Sequence, residues 1–335
     1  MFLERYRSVI APPGKACIPV IDAEKCKGCG YCIRICPLGA IELRDKKAIV
    51  VPRMKMGDTM QPSCFGCRDC TVVCPEGAIT VEGQVIIDEG FYKSSYRERP
   101  IRMPQPLGEG KPLSEDMAEL TEVEKVIFRR RSNRIFKKDP VPTEIIERLL
   151  EAARFAPTAG NSQPVRYIVI TDRAVIDEIR DGITPLLKML SKQYKEGGKF
   201  IRSILSWWGL RNPGDMDIRP IYAVEAFNAP GTKLHLFQHA PVLILVLGDK
   251  RGVGDFKLEC GMAAQNLVLA AHSMNLGTCY VGFIKTLNMN RKLKKKLGIK
   301  WPYEVATSVC VGYPKVPQDG PVPREKTPVE WIGPR

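Results

Sequence analysis

The chain has 335 residues, 44% of them hydrophobic and 26% charged, enough for two soluble domains of unequal size. Its formal net charge of +14 is uneven: the first 95 residues carry 13 basic and 11 acidic side chains, the remainder 38 and 26. The longest apolar run, Ala240 to Leu247, is too short to span a bilayer, and no leader precedes the first motif, so a cytoplasmic protein is expected.

Eight of the 12 cysteines form two copies of one pattern. The first is Cys26-x2-Cys29-x2-Cys32-x3-Cys36-Pro37, the second Cys64-x2-Cys67-x2-Cys70-x3-Cys74-Pro75. Thiolates at this spacing, each run closed by proline, suit a pair of [4Fe–4S] clusters in which the fourth cysteine crosses to the other cluster. One cluster is therefore assigned Cys26, Cys29, Cys32 and Cys74, the other Cys64, Cys67, Cys70 and Cys36. A disulfide framework requires a small secreted chain, and zinc would leave half of each run unexplained. With two oxidised clusters at a formal −2 each, the first module becomes about −2 and the rest stays basic.

Each run continues into Gly-Ala-Ile, at Gly39 and Gly77, and then a short apolar stretch expected to form a hairpin strand. This repeat resembles the bacterial-type two-cluster ferredoxins over roughly residues 16–90, within a first domain placed at 1–91. The segment between the runs, including Arg53 to Asp58, is long for that family and is expected to be a surface loop. Residues 92–120, with Pro100, Pro104, Pro106 and Pro112, preclude a continuous helix and read as a stiff linker.

The second domain, 121–335, starts with expected helices at Glu122–Arg131 and Pro142–Phe155. Strands follow at Tyr167–Thr171 and Val242–Leu247, then a helix at Leu258–Ser273, apolar on nearly all sides and hence buried. Strands at Thr278–Ile284 and Val305–Tyr313 complete it. The basic run Arg291–Lys296 alternates with Leu293 and Leu297 at helical spacing, which reads as a solvated helix face and not a nucleic-acid contact.

Three stretches suit an anionic planar cofactor. Arg129 to Arg134 offers forked donors and Ser132 a hydroxyl for a phosphate, and taken alone reads equally well as a solvated basic face. Pro157 to Pro164 is a loop of small polar residues, and Gly277 to Phe283 contains Gly282, where a ligand can approach the backbone. In this order, with the Gly261-Met262-Ala263-Ala264-Gln265-Asn266 helix and the Gly312-Tyr313-Pro314 end, they resemble the nitroreductase family over about residues 120–330. The resemblance implies an α+β fold, FMN and a homodimer with two flavins in the interface. It implies that Arg130, Arg131, Ser132 and Arg134 hold the FMN phosphate, ribityl chain and pyrimidine edge, with Arg324 and Lys326 adding phosphate contacts. Pro157, Thr158, Ala159 and Asn161 would reach the flavin of the partner subunit. Tyr280, Val281 and Gly282 would face the ring, with a backbone N–H near flavin N5. The chain departs from familiar members at Gly282, where glutamate often stands, and at Val165, where tryptophan is common.

Between Asp181 and Lys233, where lids arise in that family, stand Trp207, Trp208, Arg211, Arg219, Tyr222 and Phe227. They read equally well as core packing and as a pocket for a planar or carboxylated acceptor. Cys17, Cys260, Cys279 and Cys310 read as inert buried residues, and His235, His239 and His272 as structural. No residue is singled out as catalytic. The whole reads as an iron–sulfur flavoprotein oxidoreductase, taking electrons from an acidic ferredoxin-type donor through two clusters to FMN and on to a small organic acceptor. Substrate oxidation in reverse, and an electron-transfer subunit with FMN as one-/two-electron converter, are the alternatives.

Overall fold

The computed structural model describes residues 16–56, 59–62, 64–84, 100–104, 120–196, 219–230, 232, 234–316, 318 and 320–333. In the first module each cysteine run builds one short helix, Tyr31–Ile35 or Asp69–Val73, carrying the third cysteine. Both helices stop at the fourth cysteine, where Cys36 and Cys74 adopt extended backbone (ψ 112° and 111°). The cause is the proline that follows, since it excludes the helical region for the residue before it. The strand Ile18–Ile21 pairs antiparallel with Ile79–Glu82, and Ile41–Arg44 forms a hairpin with Lys47–Val50. Asp45 and Lys46, both with positive φ, make that hairpin's two-residue turn. Gly28 lies so close to the turn that an added Cβ would stand 2.1 Å from the Lys46 carbonyl oxygen.

The segment expected to be a surface loop is instead a hairpin, Pro52–Met56 against Thr59–Pro62. The alternation Arg53-Met54-Lys55-Met56 has the period of a strand, a signal hidden by its basic composition.

The second domain is built on an antiparallel sheet of four strands in the order Gly277–Tyr280, Tyr303–Gly312, Val242–Asp249, Val165–Ile170. Val242–Asp249 is buried at seven consecutive residues because the sheet is covered on both faces. On one face, helices Thr143–Arg154 and Phe256–Ser273 pack Leu149, Ala264, Leu267 and Val268 against Ile244, Val246 and Val309. On the other, Ile176, Ile179 and Ile183 of the helix Arg173–Glu196 pack with Leu243, Leu245 and Ile284. The Thr278–Ile284 strand ends at Tyr280 and gives way to a 3-10 helix, Gly282–Met289. The run Arg291–Lys296 is helical with Leu293 buried, and Lys296 pairs with Glu178.

A capping box between Thr121 and Glu124 opens the helix Glu122–Arg129, which stops as Arg130 turns extended. The chain then runs beside the sheet, Asn133 N donating to Thr278 O at 2.8 Å and Ser132 bridging Thr278. Within the stretch assigned to the linker, Ile101–Arg102 pairs with Arg324–Glu325, while most of that stretch lies outside the described residues, as do Trp207, Trp208 and Arg211. The two modules pack on one another: Ile135 and Val316 enter the core of Ile35, Ile41, Val73 and Ile79, and Leu38 is buried with Tyr222 and Ala223. Among the described residues no helix is long and apolar enough to cross a membrane.

Candidate functional site

A cavity of about 520 Å³ opens where the modules meet. Arg130, Arg131, Ser132, Arg134 and Arg324 border it from the second domain, and Cys67, Arg68 and Asp69 from the first. The extended exit from the helix Glu122–Arg129 aims these arginines inward. Burial holds the Arg130 guanidinium below its usual value, with Tyr280 opposing, and does the same to Arg131, with Asp69 opposing. Arg134 is the exception. Burial would lower it, but the facing Cys279 thiol and Asp69 carboxylate raise it, and its Nη1 lies 2.6 Å from Asp69 Oδ2.

Asp69 Oδ1 stands 3.4 Å from Arg131 Nε, and both atoms are buried without a hydrogen-bond partner. Buried cations with unused donors are costly, so the cavity is chemically suited to an added anion. A flavin phosphate fits that donor set. Tyr280 is close by, its phenol pushed up to about 12 by burial with Arg130 working against the rise. Nothing lies within 4 Å of a Cβ placed on Gly282, so a flat ring has room beside it. Val281 is turned into the core, and its amide already donates to Ser308 O at 3.0 Å.

The remaining candidates lie apart. Lys326 is exposed and donates its backbone N–H to Pro100 O, off the cavity. Pro157, Ala159 and Asn161 are exposed, with Thr158 half-buried, and Ala159 N donates to Glu259 Oε1 at 2.8 Å. Thr158 borders a different groove of about 390 Å³ with Gln163 and Tyr167. One chain therefore does not bring this loop to its own arginines.

The motif thiols gather around Cys32 on one side and around Cys67 and Cys70 on the other, with Cys64 beside Cys17 and Cys67 and with Cys32 also facing Cys70. Cys32 is pushed up to about 12 by burial and by the facing thiols of Cys29, Cys26 and Cys74. Cys67 is pushed up to about 12 by burial and Asp69, with Cys36 adding, and Cys70 rises by burial beside Cys67 and Cys36. Backbone amides reinforce the pattern in both repeats, Ala40 and Ala78 each donating at 3.3 Å to the sulfur of Cys36 and Cys74. Thiols crowded in this way ionise only beside positive charge, which iron supplies. Among the described residues no three His, Cys, Asp or Glu side chains converge as on a single ion. A cubane is a larger body and holds its thiolates further apart.

Four contributing residues carry no signal that a local motif reading uses. Asp69 stands with Arg68 where the first run has Gly30-Tyr31, and that mismatch between repeats was the available signal. Cys17, expected to be inert, is buried against Cys64 and borders the cavity. Ile135 and Val316 carry no motif at all.

Residues 127–313 match the family model described as the nitroreductase family, and residues 25–78 match the 4Fe-4S dicluster domain. A putative NADH dehydrogenase/NAD(P)H nitroreductase of Archaeoglobus fulgidus is 26% identical, over 58% of this chain and 87% of that protein. A 5,6-dimethylbenzimidazole synthase of Rhodospirillum rubrum is 26% identical, over 58% of this chain and 82% of that one. Among solved structures, a nitroreductase with bound FMN from Desulfitobacterium hafniense is 24% identical with a TM-score of 0.46, over 63% of this chain and 100% of that chain. Since the nitroreductase match spans more than half of its length, the chain belongs to the nitroreductase family, with an iron–sulfur dicluster domain in front of the family fold.

Proposed function

We propose that this nitroreductase-family oxidoreductase holds FMN on the arginines of the inter-module cavity and two [4Fe–4S] clusters on its cysteine runs. In this reading electrons from an acidic ferredoxin-type donor serve reduction of a small organic acceptor. The observation that carries it is the meeting of Cys67 and Asp69 with Arg130, Arg131, Ser132, Arg134 and Arg324 around one cavity. When bound, FMN supplies two-electron storage and hydride transfer, while clusters supply single electrons.

The chain's own residues orient and neutralise. Arg130, Arg131 and Arg324 grip the phosphate, Ser132 adds a hydroxyl, and Tyr280 and the open backbone at Gly282 bound the ring. Cys26, Cys29, Cys32 and Cys74 hold one cluster, and Cys64, Cys67, Cys70 and Cys36 the other. The exposed loop Pro157, Thr158, Ala159 and Asn161 serves the cavity of a second copy, which makes the working unit a homodimer. Phe155 and Leu258, 72% and 62% exposed, supply apolar surface for that contact.

The test is anaerobic turnover of the reconstituted chain with reduced ferredoxin against nitroaromatic, quinone, enoate and halogenated-ring acceptors. Consumption of one class, dependent on added FMN, supports the reading. Failure of every acceptor, with FMN and iron both bound, would point to the electron-transfer alternative.

A further inference from the structure

Asp69 is 2% exposed and comes from the first module, yet both its cationic partners, Arg131 and Arg134, belong to the second. It stands between Cys67 and Cys70, in the position taken by Tyr31 in the first run. Burying a carboxylate is unfavourable unless its partners compensate closely, and here one arm of the pair is incomplete, with Asp69 Oδ1 and Arg131 Nε lacking hydrogen bonds. An apolar residue would serve packing better, so the position calls for another explanation.

The two cysteine neighbourhoods are not equivalent toward the cavity. Cys67 borders it, and Cys36 and Phe65 pack against the Leu38–Tyr222–Ala223 contact together with Phe283. Cys26, Cys29, Cys32 and Cys74 border none of it; they line a separate small recess, and Cys29 is exposed.

Resting on the FMN and cluster reading above, we propose that Asp69 is a positioning residue that clamps the second cysteine run onto the phosphate-gripping arginines. The cluster on Cys36, Cys64, Cys67 and Cys70 is then the inner one, facing the flavin. The cluster on Cys26, Cys29, Cys32 and Cys74 is the outer one, met by the external donor at Cys29. Because Arg131 answers to Asp69 and to the cofactor phosphate together, the phosphate's negative charge is felt at the inner cluster and makes it harder to reduce.

The test uses the full chain, reconstituted anaerobically with iron, sulfide and FMN. Cys29→Ser leaves the inner cluster and Cys67→Ser the outer one, and the midpoint potential of the remaining cluster is read by EPR with and without FMN. FMN is expected to lower the potential in the Cys29→Ser protein and leave the Cys67→Ser protein unchanged. Adding Asp69→Asn to Cys29→Ser should abolish the shift at equal iron and flavin content, and Asp69→Glu should restore it. A shift in the Cys67→Ser protein, a shift in neither, or a shift that survives Asp69→Asn overturns the proposal. Should Asp69→Asn not fold, the Asp69→Glu protein and the two cysteine variants still decide which cluster is inner. Iron and flavin stoichiometry of the unmutated chain is the separate check: a chain that binds neither refutes the underlying reading, and the clamp with it.

Discussion

Arg130 and Arg134 are four residues apart at the same cavity, but their removal has different consequences. Arg134→Ala strands the buried Asp69 carboxylate, and breaking a buried pair in this way costs about 3–5 kcal/mol. Thermal unfolding should therefore show a large loss of stability. Arg130→Ala leaves no such orphan and removes a charge-assisted contact of about 1.5–3 kcal/mol, or roughly 10- to 150-fold in FMN affinity. A fluorescence titration in which Arg130→Ala binds FMN like the unmutated chain would place the phosphate elsewhere. At the cysteines, the anaerobic protein should carry about eight iron per chain, and Cys29→Ala about half of that. Cys260→Ala, inside the helix Phe256–Ser273, should leave the iron unchanged; lost iron there would break the assignment. The arginine cluster and the two cysteine runs stand out in the sequence because their chemistry depends on local spacing. Asp69 and Cys17 do not, since their roles rest on partners far away in sequence: Arg131 and Arg134 for one, Cys64 for the other.

Elements with a single strong period were read well. The helix Thr143–Arg154 and the strands Val242–Asp249 and Tyr303–Gly312 lie where the apolar pattern put them, within a few residues. The helix Arg173–Glu196 is not announced by the sequence, because it carries Pro185, a residue that ordinarily argues against a helix interior. The end of the strand before Gly282 is hidden in the sequence because an apolar stretch does not reveal where backbone pairing stops. The loop Ala159–Asn161, tied to Glu259 and not bordering the arginine cavity of its own chain, makes an element-level prediction. Phe155→Asp with Leu258→Asp places two charges on the apolar surface beside it and should convert a dimer to a monomer that releases FMN. Light scattering at micromolar concentration checks the mass and absorbance checks the flavin. A monomer that keeps its flavin would show that the loop does not serve a second copy.

At the scale of the molecule, the cluster module sits against the flavin fold through Ile135, Val316, Leu38 and the Asp69 contact. The sequence announced both modules but not their docking, because apolar contacts between domains leave no motif. Beyond residue 95 the chain carries 38 Lys and Arg against 26 Asp and Glu, a balance that favours an acidic donor. The rate of reduction by such a donor should therefore fall as salt is raised from low to physiological ionic strength. The central claim is that the clusters are the route to the flavin. It is tested by anaerobic stopped-flow reduction with ferredoxin, following flavin absorbance in the intact chain and in a folded, FMN-loaded Cys29→Ser/Cys67→Ser variant. The account predicts that flavin reduction in the variant drops to the rate seen without ferredoxin. Reduction as fast as in the intact chain would contradict it.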